Sequence, residues 1–561
     1  MSLIHVNHIQ AGLKAMFDGL IDMTDSVNKP DHDQKQVFIS RALAAYTLVQ
    51  KVGLTPEAAG SAVVDSYNDN GIDAFHFDPD EHRMFIVQSK WISDGNGSPE
   101  LGEVHKFLHG FRDLLQFSDI RGRFNAKVMA RSAEIEAALE DSQATFSLFI
   151  AYPSNHPLSV HAQQAVDDLL SEMNDTSPMV TFQPIGQREL HRAVVLDVRE
   201  DPINLEVALR DWGQRREPFQ AYYGQVSASD VAAWWGEYNN RLFTENLRKF
   251  AGSTEVNEGL SGTLKGSPEH FWYFNNGITA LCTRISKKPA GGPDRGTGYF
   301  VCEGVSVVNG AQTVGAIGTL ADADENILGT AYVPIRFISL ENTPADFATQ
   351  ITRATNTQNR IERRDFAALD PEQERLRTEL LFEQKVYAFK TGDTPPQPDQ
   401  GCTIDEATVA LACAYNDLGL AVQAKREIGQ LWENTSKPPY KLVFNGGVTG
   451  LHLWRAVMIM RAVDAVLRAE MAVRGGREKL VAIHGNRFIL HCVYHDGETE
   501  GMDLAAIGSR DGADKLEALT RLTLERTIAA VERLHATAYP AQLFKNLGKC
   551  KQILAELVPE P

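Results

Sequence analysis

Positive charge, paired cysteines and long apolar runs are what this chain has little of. Its 561 residues include 73 Asp and Glu against 55 Lys and Arg, a formal net charge of −18. Such a balance argues against a protein that coats nucleic acid non-specifically, because that affinity comes from phosphate neutralisation and counterion release. A local basic groove remains compatible with it, and carboxylates that hold a divalent cation add negative charge of their own. The six cysteines (Cys282, Cys302, Cys402, Cys413, Cys492 and Cys550) contain no CxxC pair. Neither a disulfide framework nor a zinc ribbon is suggested, and reduced, buried thiols are expected. No stretch of about 18 uncharged apolar residues occurs, and the opening MSLIHVNHIQ lacks the basic-then-apolar layout of a signal peptide. The expectation is a cytoplasmic protein with no membrane partner; self-association is left open. No internal repeat or low-complexity tract is present.

What is there is ordinary globular material, 43% apolar and 23% charged, long enough for two or three cores. Helical spacing of apolar residues predicts a helix over 34–50 and a second over 56–64. The period then changes to that of strands at 72–77 and 84–91, separated by the polar turn Asp78-Pro79-Asp80-Glu81-His82, which predicts a β-hairpin. Helices follow at about 100–117 and 123–141, then a strand at 145–153, a helix at 158–174 and a strand at 179–185. This order is that of an α/β layered domain. A Trp-rich stretch from Trp212 to Trp235 opens a mixed region that runs to about 400. Within it 291–296 reads as a hairpin loop and 393–398 as an exposed connector. Helical periodicity dominates from about Asp405 onward. The reading is therefore three domains: 1–200, an α/β domain; 201–400, a mixed α+β domain; and 401–561, mainly helical.

The hairpin carries the strongest chemical signal. Asp73 is on its first strand and Gln88 and Lys90 on its second, where strand alternation points both to one side and Ser89 to the other. A tight turn brings Asp73 across from them. A carboxylate, an amide oxygen and an ammonium then converge, the combination phosphodiester hydrolysis needs: a hard cation, an activated water and positive charge near the developing phosphorane. Asp73 and Gln88 Oε1 are expected to hold Mg2+, with Mn2+ as a substitute, completed by the Ser89 backbone carbonyl. Lys90 would orient or deprotonate the attacking water. Asp65 and Asp69, just upstream, can add a carboxylate or simply cap the turns of an Asp/Asn/Gly-rich loop. The same residues also fit a surface hairpin with an exposed Gln and Lys.

The sequence GID followed by an apolar strand ending in QSK resembles the Mrr-like branch of the PD-(D/E)xK nucleases, in which glutamine commonly replaces glutamate. The resemblance implies a restriction-endonuclease-like fold for residues 1–200 and catalytic roles for Asp73, Gln88 and Lys90. Two other clusters weigh less. His105 and His109 sit four apart on a predicted helix beside Glu103, yet the HExxH glutamate is absent. His491, Cys492 and His495 occur in RFILHCVYHD, whose alternation suggests a strand with Cys492 buried.

Three further segments, LFTENLRKFAG with FWYFNNGITALC (242–252, 271–282), GVSVVNGAQTVGAI (304–317) and ITRATNTQNRIERRDFAALD (351–370), resemble the AIPR family, named for abortive infection and phage resistance. The resemblance spans about residues 20–400 and implies an anti-phage role. The three share a chemistry of amides and hydroxyls beside apolar sequence: Asn275, Asn276, Asn309, Gln312, Thr313, Asn356 and Gln358. Carboxamides donate and accept at once, which suits a nucleotide's edges, whereas Asn-Gly pairs also simply make tight turns. In layout the region is similar to ParB-like and DGQQR-type domains, some of which bind or hydrolyse nucleotides. Asn309 stands here for the aspartate and Thr313 for the arginine. Arg353, Arg360, Arg363 and Arg364 can supply the missing charge or form a solvated helix face. The expected function is a metal-dependent nuclease, a DNA endonuclease restrained by its C-terminal region until a nucleotide or phage-derived ligand binds. The alternative is a non-catalytic nucleic-acid or nucleotide-binding sensor with a degenerate nuclease fold.

Overall fold

The computed structural model describes residues 3–197, 202–243, 255–289, 295–323, 328, 330–344, 346–356, 363–390 and 392–557. The chain divides into two compact units, one made of residues 1–190 and 361–561, the other of residues 191–360. The boundaries expected at 200 and 400 fall instead at 190 and 360, and the N- and C-terminal regions share one unit.

The N-terminal part of the first unit is a four-stranded sheet in the order β1-β2-β3-β4, with β1 Ala74–Asp78, β2 Arg83–Ser89, β3 Thr145–Ala151 and β4 Val180–Ile185. The hairpin expected from the sequence forms, with Ala74 opposite Val87 through to Asp78 opposite Arg83. Asp78 closes its turn by accepting the N–H groups of Asp80 and Glu81 on Oδ1. β2, β3 and β4 are parallel, so β2 and β3 are buried on both faces and read as apolar runs. The predicted helix over 34–50 is Asp31–Val52, carrying Asp31 and Asp33 in its first turn and ending at Gly53, whose φ is +77°. The opposite face is covered by Leu101–Leu115 and Val160–Met173, burying Phe75, Ile86, Phe107, Phe111, Phe146 and Leu148 in one core. The single helix expected over 123–141 is two, Ala126–Ala130 and Ser132–Glu140, parted at Arg131.

The C-terminal helices build a core of their own around the long helices Gly450–Val473 and Arg510–His535. They also complete the N-terminal core, into which Leu480, Tyr539 and Ala541 insert. The carbonyl of Leu139, in the last turn of Ser132–Glu140, lacks an intrahelical donor. It accepts from His484 Nε2 at 2.8 Å and from the Tyr539 hydroxyl at 2.9 Å. Asp175 accepts from Gln542, Asn546 and Lys549. Helical periodicity marks which side of a helix is apolar but not what that side covers, which is why a boundary near 400 was expected. The segment 486–494, expected as a strand, is the helix Asn486–Tyr494. Its His491 Nδ1 meets the Cys413 carbonyl and His495 Nε2 the Tyr415 carbonyl, so both rings are held by backbone.

The second unit is a seven-stranded sheet in the order β10-β7-β11-β6-β5-β9-β8. Its strands are β5 Leu205–Arg215, β6 Ala221–Ser227, β7 Ile278–Cys282, β8 Arg284–Lys287, β9 Thr297–Glu303, β10 Ser306–Asn309 and β11 Tyr332–Ser339. All pairs are antiparallel except β11 with β7. Helices Ala228–Tyr238 and Ala311–Ala323 cover one face, where Val226, Val333, Ile335 and Phe337 are buried. On β6, β9 and β11 the alternate residues Tyr223, Tyr299 and Arg336 are exposed, as expected of a sheet with one wet face. Of the expected loop at 291–296, residues 291–294 lie outside the described residues. No helix among the described residues is long and apolar enough to cross a membrane.

Candidate metal centre

Three carboxylates converge at the start of the hairpin. Asp65, Asp69 and Asp73 each offer an oxygen, and these oxygens lie within 4.8 Å of one another. The loop that carries the first two is pressed against the helix Leu101–Leu115. Gly71 has φ +77° and a Cβ there would come within 2.9 Å of the Phe107 nitrogen, while a Cβ on Gly110 would strike the Asn70 carbonyl at 1.9 Å. Glycine is required at both positions for this approach.

Each carboxylate has a distinct environment. Asp73 is one residue before β1, with its N–H on the Val87 carbonyl. Its Oδ2 accepts from the Ser89 N–H at 2.7 Å and the Ser89 hydroxyl at 2.8 Å. Burial pushes the Asp73 carboxyl well above the usual carboxylate range, reinforced by Asp65 and Asp69 and opposed by the Ser89 donors. Burial also raises Asp65, opposed by the guanidinium of Arg41. Arg41 itself is buried on the helix Asp31–Val52, bonded to Asp65 Oδ2 at 2.9 Å and to both oxygens of Asp25 at 2.7 and 2.8 Å. Asp69 Oδ1 accepts from the Gly71 N–H and from Lys106 Nζ, each at 2.7 Å. Its loop-capping role and its place in the cluster therefore coexist.

Gln88 follows Val87, the β2 residue that pairs with Ala74. Gln88 is 8% exposed; its Nε2 donates to the Glu103 carbonyl at 3.3 Å, and its Oε1 is buried with no partner among the described residues. A buried acceptor without a donor costs about 1–3 kcal/mol. Three crowded carboxylates and an orphaned amide oxygen are an all-oxygen donor set that fits a hard divalent cation such as Mg2+. Two expectations shift in detail. Ser89 meets Asp73 through its N–H and hydroxyl, where its carbonyl had been expected to serve the metal. Lys90 is ion-paired with Glu103, whose other oxygen caps the helix by accepting the Glu100 N–H. Arg41, Glu103 and Lys106 were not singled out as site residues. The signal for Arg41 was present, an arginine inside the apolar run FISRALAAY.

His105 and His109 line an open cavity of about 460 Å3 with Lys106, Arg112 and Asp168. In the second unit Asn275 Nδ2 donates to Thr313 Oγ1 at 3.1 Å, and Asn309 Nδ2 donates to the Thr355 carbonyl at 2.7 Å. Gln312 Oε1 is buried without a partner among the described residues, and Asn276 is exposed. Gly277 and Gly310, at φ +80° and +93°, are held against the Pro334 and Gly277 carbonyls, so the turn role of both Asn-Gly pairs is real. Gln358 and Arg360 lie outside the described residues, as do the side chains of Asn356, Arg353 and Arg363.

No curated protein and no solved structure matches the chain. The family model described as AIPR protein matches residues 243–532, which leaves out the hairpin and takes in most of the C-terminal helices, a different span from the 20–400 expected. That match covers just over half of the chain, and the protein therefore belongs to the AIPR family, with the role in abortive infection and phage defence that this membership implies.

Proposed function

We propose that the first unit is a metal-dependent phosphodiester hydrolase, a DNA endonuclease of restriction-endonuclease-like, Mrr-type fold, acting in anti-phage defence. The observation that carries the reading is the convergence of Asp65, Asp69 and Asp73, whose oxygens lie within 4.8 Å of one another, with Gln88 on the second hairpin strand keeping a buried Oε1 that has no partner among the described residues. These four side chains would hold the cation. When bound, it supplies charge neutralisation at the scissile phosphate and acidifies water. The chain's own groups do the rest. Ser89 fixes Asp73 through two donors, so the carboxylate is pre-organised. Lys90 Nζ, half exposed at the rim and held by Glu103, is placed to donate to a non-bridging phosphate oxygen, and Glu103 to take a proton from the incoming water. Lys106, paired with Asp69, adds a second cation at the same edge.

A second reading is favoured by one observation. The Lys90–Glu103 ion pair engages the ammonium that catalysis requires, which suits a nucleic-acid clamp that no longer cuts. Cleavage of duplex DNA by the full chain in Mg2+ or Mn2+, compared with Asp73→Asn and Lys90→Ala, decides between them. Metal-dependent cleavage lost in both variants supports the enzyme; binding without cleavage in the wild type supports the clamp.

A further inference from the structure

The helix Phe271–Phe274 is one turn long and carries four consecutive aromatic-type side chains, Phe271, Trp272, Tyr273 and Phe274. Only Phe271 is buried, and it pins the turn to the core of the second unit. Trp272, Tyr273 and Phe274 are 44%, 72% and 69% exposed. Contiguous apolar surface of this kind marks a binding site more often than it occurs by accident. The turn overhangs the wet face of the sheet, where Trp272 and Tyr273 join Tyr332 of β11, Gln225 of β6, Glu269 and Thr330 around a cavity of about 320 Å3. That size is at the lower end of small-molecule sites, roughly 300–1,000 Å3.

Two polar groups of the lining are left only to accept, while the Tyr273, Tyr332 and Thr330 hydroxyls can do either and the Trp272 indole N–H donates. Gln225 Nε2 is committed to Asp211 Oδ2 at 2.5 Å, which leaves Gln225 Oε1 free to accept. Glu269 accepts only. The ligand must therefore present a flat π surface and hydrogen-bond donors on its edge. The Arg210 guanidinium lies over the ring of Tyr332, one of the lining residues, at 4.7 Å from its centroid.

We propose that this cavity binds a nucleobase bearing an exocyclic amino group, carried either by a mononucleotide or by a single strand of nucleic acid. Trp272 stacks on the base, Tyr273, whose ring stands at 81° to the indole, walls the base's side, Glu269 and Gln225 Oε1 accept from its amino edge, and Arg210 lies toward the phosphate. Stacking of this kind is sequence-tolerant, while the acceptors disfavour uracil and thymine, whose edges offer two carbonyls and a single donor. The site is separate from the carboxylate cluster and does not depend on it.

The test uses the full chain in EDTA, so that no strand is cut. AMP, CMP, GMP and UMP are titrated by calorimetry, and labelled eight-residue dA, dC and dT oligonucleotides by anisotropy. Each is run on the wild type, on Trp272→Ala/Tyr273→Ala, on Trp272→Phe and on Asp73→Asn. Amino-bearing bases should bind in preference to uracil and thymine. The double variant should lose roughly 5- to 100-fold in affinity, and Trp272→Phe and Asp73→Asn should retain most of it. Mononucleotides binding as tightly as oligonucleotides would identify a free nucleotide as the ligand, and oligonucleotide binding alone would identify a strand. Absence of binding by every probe, equal affinity in the double variant, or uracil and thymine binding as well as the amino bases would overturn the proposal. Because Asp73→Asn reports on the carboxylate cluster alone, loss of the nuclease reading leaves this result intact.

Discussion

Both units bury polar side chains near a sheet end, but in opposite electrostatic regimes. At Asp73 and Asp65 burial and nearby carboxylates push protons back on, and on the adjoining strand the Gln88 Oε1 has no donor among the described residues. Around Asn275 and Asn309 the buried groups are neutral, and each amide nitrogen finds an internal acceptor. A neutral cluster is tolerable as structure even with Gln312 Oε1 left without a partner among the described residues. A cluster of like charges with an orphaned acceptor is costly unless something positive joins it. The carboxylates are therefore the stronger functional site, even though the family match covers the amides and not the hairpin.

The sharpest way to break this contrast is Asp73→Asn. If the cluster serves a cation, cleavage should fall by several orders of magnitude, because a lost ligand charge costs several kcal/mol of barrier. The sign on stability is opposite. A carboxyl whose folded pKa lies above its unfolded value loses stability as pH rises past about 4. Removing that charge should raise Tm at pH 7 in EDTA and abolish the further rise on adding Mg2+. A variant less stable than wild type in EDTA would mean that the carboxylates are not repelling one another.

A third buried polar site calibrates the comparison, because no chemistry is proposed for it. His484 is fully buried, and burial, with Lys425 and Lys545 nearby, holds its ring well below the usual histidine range; burial pushes His491 down to about 4. Both are neutral in the fold and protonate in the unfolded chain near 6.5, so stability is full above that pH and lost as it falls toward the folded values. His491 should cost about 2 kcal/mol at pH 5, from 1.4 kcal/mol per pKa unit, and His484 acts in the same direction. Thermal melts of wild type and His484→Gln between pH 7.5 and 5 check this, the variant showing the shallower slope.

Tyr539→Phe comes next in size. It removes one of the two donors on the Leu139 carbonyl while His484 keeps the other, so about 1 kcal/mol is expected from chemical denaturation. The same contacts bear on the proposed restraint by the C-terminal region. A fragment ending near residue 200 loses Leu480, Tyr539 and Ala541 from its core, so its inactivity would report unfolding rather than regulation.

How much of this could be read from the residues follows the same physics. Period and turn chemistry located the hairpin, the four strands of the first sheet and the helices around them, since those depend on neighbours in sequence. Asp73 was legible as a carboxylate beside the hairpin, and Asp65 and Asp69 were visible as carboxylates in a loop of Asn and Gly. Partners distant in sequence were not legible. Nothing local says that Glu103 takes Lys90, that Arg41 ties Asp25 to Asp65, or that the last turn of Ser132–Glu140 is capped by side chains more than 300 residues away. The segment 487–496 misled because the mainly buried residues of a short helix, Phe488 to His491 with Val493 and Tyr494, can mimic alternation.

The smallest effect separates the two readings of the amide cluster. Asn309→Ala removes a donor from the Thr355 carbonyl and should cost about 1 kcal/mol whether or not a ligand binds there. Gln312→Ala is the discriminating change. Its Oε1 has no partner among the described residues, so deleting it removes a desolvated acceptor. Tm should stay level or rise slightly if the position is only structural packing. If instead that oxygen accepts from a nucleotide, a thermal shift produced by the nucleotide in wild type should vanish in Gln312→Ala while persisting in Trp272→Ala. A drop in Tm of several degrees in Gln312→Ala without any ligand would show that the oxygen has an internal donor after all, and the amide cluster would then be scaffold throughout.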